Sequence, residues 1–130
     1  MNATMPIGRT RGRYLLALAA IIALGLLSRR VAWLPNSVGD MFWAMMVFCL
    51  VRLLFIRWRT LLVVATALGI AFAVEFSQLI SWPWLCQFRS TFVGHMLLGQ
   101  GFMWQDLVAY VIGVVLILVL DKICLHGKTK

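Results

Sequence analysis

Four long apolar runs, each interrupted by a few polar residues, set the pattern of this chain. The first, Tyr14 to Leu27, continues through Ser28-Arg29-Arg30-Val31-Ala32-Trp33-Leu34 and stops before Pro35, which gives about 20 helical residues, the length a bilayer core requires. Leu26 and Ser28 ahead of Arg29 make a poor small-x-small cleavage site, so the run reads as a span and not as a cleaved signal. Arg29 and Arg30 then lie in its outer third, snorkelling or paired. Pro35-Asn36-Ser37-Val38-Gly39 predicts a turn, and Asp40 the cap of a second helix whose apolar part runs from Met41 to Ile56. Arg52, near the far end of that helix, is placed to snorkel toward the basic loop Arg57-Trp58-Arg59, where Trp58 fits an interfacial belt.

The third run extends from Thr60 to about Ile80 and carries Ala65, Gly69 and Ala73 four residues apart, a small-residue ridge suited to close packing against another helix. Ser81-Trp82-Pro83-Trp84 ends it with tryptophans at interface depth. Phe88 to Leu98 predicts a short interfacial helix closed by Gly99, and Gly99-Gln100-Gly101 a loop. The fourth run, Phe102 to Leu120, returns the chain to a basic tail.

Composition turns this pattern into a class. Of the 130 residues 63% are hydrophobic and 12% charged, and the mean hydropathy is +0.96, more apolar surface than a domain of this size can bury. The excess faces lipid. The predicted fold is an all-α membrane protein with four transmembrane helices, both termini on the cytoplasmic side, and a short interfacial helix between the third and fourth. Residues 1–12 and 122–130 are read as cytoplasmic tails around one transmembrane domain, 13–121.

A net charge of +8 would raise nucleic-acid binding in a soluble protein, but the positions argue for topology instead. Arg9, Arg11, Arg13, Arg52, Arg57, Arg59, Lys122, Lys128 and Lys130 fall on one side with Asp121 as the only acid. Arg29, Arg30 and Arg89 fall on the other with Asp40, Glu75 and Asp106, and these six sum to zero, as in a self-compensating cluster.

The candidate chemistry lies in that outer group, because an ionisable residue within a span is costly unless paired or used. Leu68, Ala71, Glu75 and Gln78 share one face of the third helix, and Asp106, Tyr110 and Gly113 one face of the fourth. Glu75 and Asp106 lie about a turn and a half inside the outer ends of their helices, hence at similar depth. Two acids so placed favour proton exchange if they face each other, and an anion site or a rigid ion-pair network if Arg29, Arg30 or Arg89 holds them ionised. The alternative is that these pairs only fix helix register. Gln78 is a buried amide in need of partners. His95 reads as an interfacial surface residue or a proton carrier, and His126 as tail.

Cys49, Cys86 and Cys124 are spread over a span and two opposite sides, with no Cys or His cluster at metal-ligand spacing. No Ser-His-Asp arrangement or phosphate-cradling loop is present either. No metal, cofactor or catalytic role follows, and the partners to expect are membrane lipids, a second copy, or another membrane protein.

Gly25-Leu26-Leu27-Ser28-Arg29-Arg30, Gly39-Asp40-Met41-Phe42-Trp43-Ala44-Met45-Met46-Val47-Phe48, Val74-Glu75-Phe76-Ser77-Gln78-Leu79, Arg89-Ser90-Thr91, Leu98-Gly99-Gln100-Gly101-Phe102 and Trp104-Gln105-Asp106-Leu107-Val108-Ala109-Tyr110-Val111-Ile112-Gly113 together resemble the small bacterial membrane proteins of domain of unknown function 2809. Glu-x-x-Gln, then Arg, then Asp-x-x-x-Tyr-x-x-Gly is also similar to the VanZ-like proteins, whose fourth helix usually has Asn where this chain has Tyr110. The resemblance implies a bacterial inner-membrane location and a cell-envelope setting, and supplies no reaction. The leading expectation is recognition of an anionic envelope component, such as a lipid-linked phosphate, by the outer arginines with the acids orienting them. A proton-coupled transport subunit and a structural scaffold are the alternatives.

Overall fold

A computed structural model describes residues 7–79, 82–98 and 104–125, and of residues 7, 36, 96–98, 124 and 125 the backbone alone. The expectations for Ile80, Ser81, the Gly99-Gln100-Gly101 loop, Phe102, His126 and the ends of both tails lie outside the described residues. Six α-helices follow in order: α1 (Ile7–Arg30), α2 (Asn36–Leu54), α3 (Thr60–Ser77), α4 (Pro83–Arg89), α5 (Phe92–Leu98) and α6 (Trp104–Leu120), with a π-helical turn, Asp121–Leu125, closing α6. The all-helical class is as expected among the described residues.

Among the described residues, three helices are long and apolar enough to cross a membrane: Gly8–Arg30, Ser37–Leu54 and Thr60–Ser77. Their burial differs, 44% of the window in α2 against 17% in α1 and 22% in α3, so α2 is the centre of the bundle. It packs against α1, α3 and α6, while α1 touches only α2 and the π-helical turn among the described residues. The core is built from the inward faces of these helices: Tyr14 and Ile21 of α1, Ala44, Val47, Phe48 and Val51 of α2, Val63, Ala67 and Ala71 of α3, and Tyr110, Val114 and Ile117 of α6. The opposite face of α6, with Val108, Val111, Val115 and Val119, is exposed, as a lipid-facing surface would be.

Several boundaries differ from the sequence expectation. Helix α1 begins at Ile7, inside the segment read as a tail, and ends at Arg30, not at Leu34. Residues 31–34 form a turn closed by Leu34 N–H donating to the Val31 carbonyl at 3.2 Å, because the residue before a proline disfavours the helical region. Pro35, extended at φ −62° and ψ 149°, is itself the N-cap of α2, which therefore starts at Asn36. Asp40 is in the second turn of α2 and does not cap it.

The ridge Ala65, Gly69 and Ala73 is exposed, and a Cβ on Gly69 would meet nothing within 4 Å. The stripe of α3 that packs inward is Val63, Ala67, Ala71 and Glu75. The predicted single interfacial helix is two, α4 and α5, broken at Ser90 and Thr91. Thr91 Oγ1 accepts the Gly94 N–H at 3.0 Å, and Gly94 is needed there because a Cβ would lie 1.8 Å from the Phe88 carbonyl oxygen.

Candidate functional site

At one end of the bundle the chain gathers three of its four acids. The last turn of α1 supplies Arg29, the second turn of α2 Asp40, the last turn of α3 Glu75, and the first two turns of α6 Asp106 and Tyr110. Helices α2 and α6 approach closely enough to allow this because Gly113 lacks a side chain, a Cβ there falling 2.4 Å from the Met41 carbonyl oxygen.

Glu75 is fully buried, and Tyr110 Oη donates to its Oε2 at 3.0 Å. Asp106 lies between the other two acids, its carboxyl beside Asp40 on one side and Glu75 on the other. Arg29 Nη2 lies 3.5 Å from Asp40 Oδ1, a loose pair at the edge of the cluster. Trp43 of α2 covers Tyr110, ring centroids 5.5 Å apart.

The structure thus brings together Arg29, Asp40, Glu75, Asp106 and Tyr110 of the predicted residues. Arg29 faces Asp40, and the three acids lie beside one another. Arg30 is exposed. Arg89 is buried and its Nη2 donates to the Ser77 carbonyl at the C-terminus of α3, where a cation meets the negative end of the helix dipole. Gln78 is half-buried and forms the C-cap of α3 through its backbone N–H. His95 is exposed. Cys49 is buried and Cys86 exposed, both free.

Two features went unread in the sequence. An apolar groove of about 110 Å³ runs between α1 and α2, lined by Ile21, Gly25, Phe42, Trp43 and Met46, with Arg29 at its polar end. Gly25 and Gly39 shape it. A Cβ on Gly25 would press on Phe42 Cβ at 3.2 Å, and one on Gly39 would lie 3.0 Å from Arg29 Nε, so the guanidinium rests directly on the α2 backbone. The signal available was the pairing of a glycine on each helix with the Arg29-Arg30 step.

The second is a buried polar knot at the opposite end. Tyr14 Oη donates to Asp121 Oδ1, and Arg52 Nη2 lies 3.7 Å from Asp121 Oδ2, with all three side chains at most 1% exposed. Arg52 also donates to the Trp58 carbonyl at 2.6 Å and to Thr60 Oγ1 at 3.0 Å. It reaches the expected loop but is sealed from solvent, and Asp121 is buried with it.

Residues 29–114 match the family described as protein of unknown function (DUF2809), well over half of the 130 residues, and the chain belongs to that family. The matched segment contains the whole acid cluster and excludes Tyr14 and Asp121. No solved structure matches the chain.

Proposed function

We propose that this DUF2809 protein is a four-span bacterial inner-membrane protein that recognises an anionic amphiphile, such as a lipid-linked phosphate, in the groove between α1 and α2. Helix α6 is taken as the fourth span: its 17 residues rise about 25 Å, and the π-helical turn extends it. The observation that carries the reading is Arg29 at the head of an open apolar groove. A hydrocarbon chain fits the lining, and a guanidinium has five donors, of which the loose contact to Asp40 occupies one edge. The carboxyl chain behind Asp40 fixes where that contact holds the arginine, and Arg30 adds charge at the same end.

The test is retention of a polyprenyl phosphate by the purified protein in native mass spectrometry, against the polyprenol lacking the phosphate. Arg29→Ala is expected to lower the preference for the phosphate by roughly tenfold, the scale of one charge-assisted contact. Equal retention of both compounds by the wild type would sink the reading.

The row of acids from Asp40 through Asp106 to Glu75 favours a second reading, proton exchange at the acid cluster. The described core between the two ends is apolar, with Ala44, Phe48, Val114 and Ile117, so passage through one copy has no polar steps there and transport would draw on a second copy. Difference infrared spectroscopy of the lipid-reconstituted protein, with Glu75→Gln as reference, checks it. A protonated carboxyl band that disappears in the variant between neutral and alkaline pH is expected; a carboxylate band alone removes this reading.

A further inference from the structure

We infer that the basic end of the bundle carries a second site, for the phosphodiester headgroup of an anionic phospholipid, between Arg11 of α1 and Arg57 of the α2–α3 loop. A hollow of about 470 Å³ lies there, lined by Arg11, Leu54, Phe55, Ile56, Arg57 and Trp58, with no carboxylate among them. Both arginines are exposed. The acid nearest in the fold, Asp121, is spent on Arg52 and Tyr14 in the buried knot.

The loop that presents Arg57 is held in shape from below. Arg52, fully buried, donates to the Trp58 carbonyl and to Thr60 Oγ1, while the Trp58 N–H donates to the Phe55 carbonyl at 3.0 Å. Phe55 and Trp58 stack with ring centroids 3.9 Å apart and 12° between planes. A fixed aromatic pair beside two cations, with Leu54 exposed next to it, matches an amphiphile lying at the membrane interface: rings and leucine against the acyl region, guanidinium groups on the phosphate. A soluble anion would have no use for the apolar rim. The site is remote from the α1–α2 groove and does not rest on the function proposed for it.

The full chain in detergent, carrying Arg29→Ala so that the groove contributes nothing, is titrated with dioleoyl phosphatidylglycerol or dioleoyl phosphatidylcholine and bound lipid is counted by native mass spectrometry. Phosphatidylglycerol is expected to be retained preferentially. Arg11→Ala with Arg57→Ala should lower that preference roughly thirtyfold, from about 1 kcal/mol for each arginine at an anionic surface. Arg9→Ala with Arg59→Ala removes the same charge outside the hollow and should lower it less than about threefold, since exposed charges away from the site are screened. Circular dichroism confirms that both pairs remain folded. Equal losses in the two pairs, no headgroup preference in the parent, or displacement of the lipid by millimolar inorganic phosphate would each overturn the assignment.

Discussion

At the scale of single residues, two polar groups of similar cost were unequally visible. Glu75 and Asp106 stood out because each interrupts a long apolar run, and their shared depth followed from helical rise alone; the structure places them side by side. Asp121 did not stand out, since it sits at the end of the fourth run and reads only as the one acid among the cytoplasmic basic residues. Its burial depends on Tyr14 and Arg52, far away in sequence, and tertiary convergence of that kind leaves no local periodicity. Asp121→Asn is therefore the more informative substitution. It leaves Arg52 charged, fully buried and without its counter-ion, and should destabilise the protein by roughly 3–5 kcal/mol. The replacement of both residues by apolar ones, Arg52→Met with Asp121→Leu, should recover most of the loss. Unfolding midpoints in mixed detergent measure both; an Asp121→Asn protein as stable as wild type would mean that the ion pair does not hold Arg52.

At the scale of elements, the run lengths placed the four long helices but merged α4 and α5 into one, and the faces were read with mixed success. Asp106, Tyr110 and Gly113 were correctly assigned to one face of α6, which turns inward. On α3 the small-residue ridge read as a packing seam, Ala65-Gly69-Ala73, faces outward, while Val63, Ala67, Ala71 and Glu75 pack inward. Small residues in lipid carry little penalty, so their presence alone does not distinguish a seam from an exposed face. The glycines separate the two cases experimentally. Gly113→Ala forces a methyl to 2.4 Å from the Met41 carbonyl, so α6 must move off α2, the Tyr110–Glu75 bond must stretch, and a loss of roughly 1–3 kcal/mol is expected. Gly69→Ala meets nothing and should stabilise α3 by about 0.5–1 kcal/mol through helix propensity. Thermal unfolding of the two variants side by side checks the sign of each, and destabilisation by Gly69→Ala would show that its face is covered by another chain.

At the scale of the whole molecule, the two polar clusters define the path of the chain. Arg29, Asp40, Glu75 and Asp106 join the end of α1, the start of α2, the end of α3 and the start of α6, while Tyr14, Arg52, Thr60 and Asp121 join the four opposite termini. Each helix thus contributes one end to each cluster, and α1, α2, α3 and α6 alternate in direction. Charge segregation then orients the bundle, since Arg9, Arg11, Arg57, Arg59 and Lys122 lie at the end of the second cluster and should remain in the cytoplasm. Cys86, exposed on α4 beside the acid-bearing end, is a natural reporter of the other side. In a chain with Cys49 and Cys124 replaced by serine, Cys86 should react with a membrane-impermeant maleimide in intact cells. A cysteine placed instead at Lys122, with Cys86 also replaced, should react only after permeabilisation. If the Lys122→Cys position reacts in intact cells and Cys86 does not, the orientation is the reverse. If both react from one side, α6 does not cross the bilayer, and the acid cluster would then join three spans to a helix that stays at the surface.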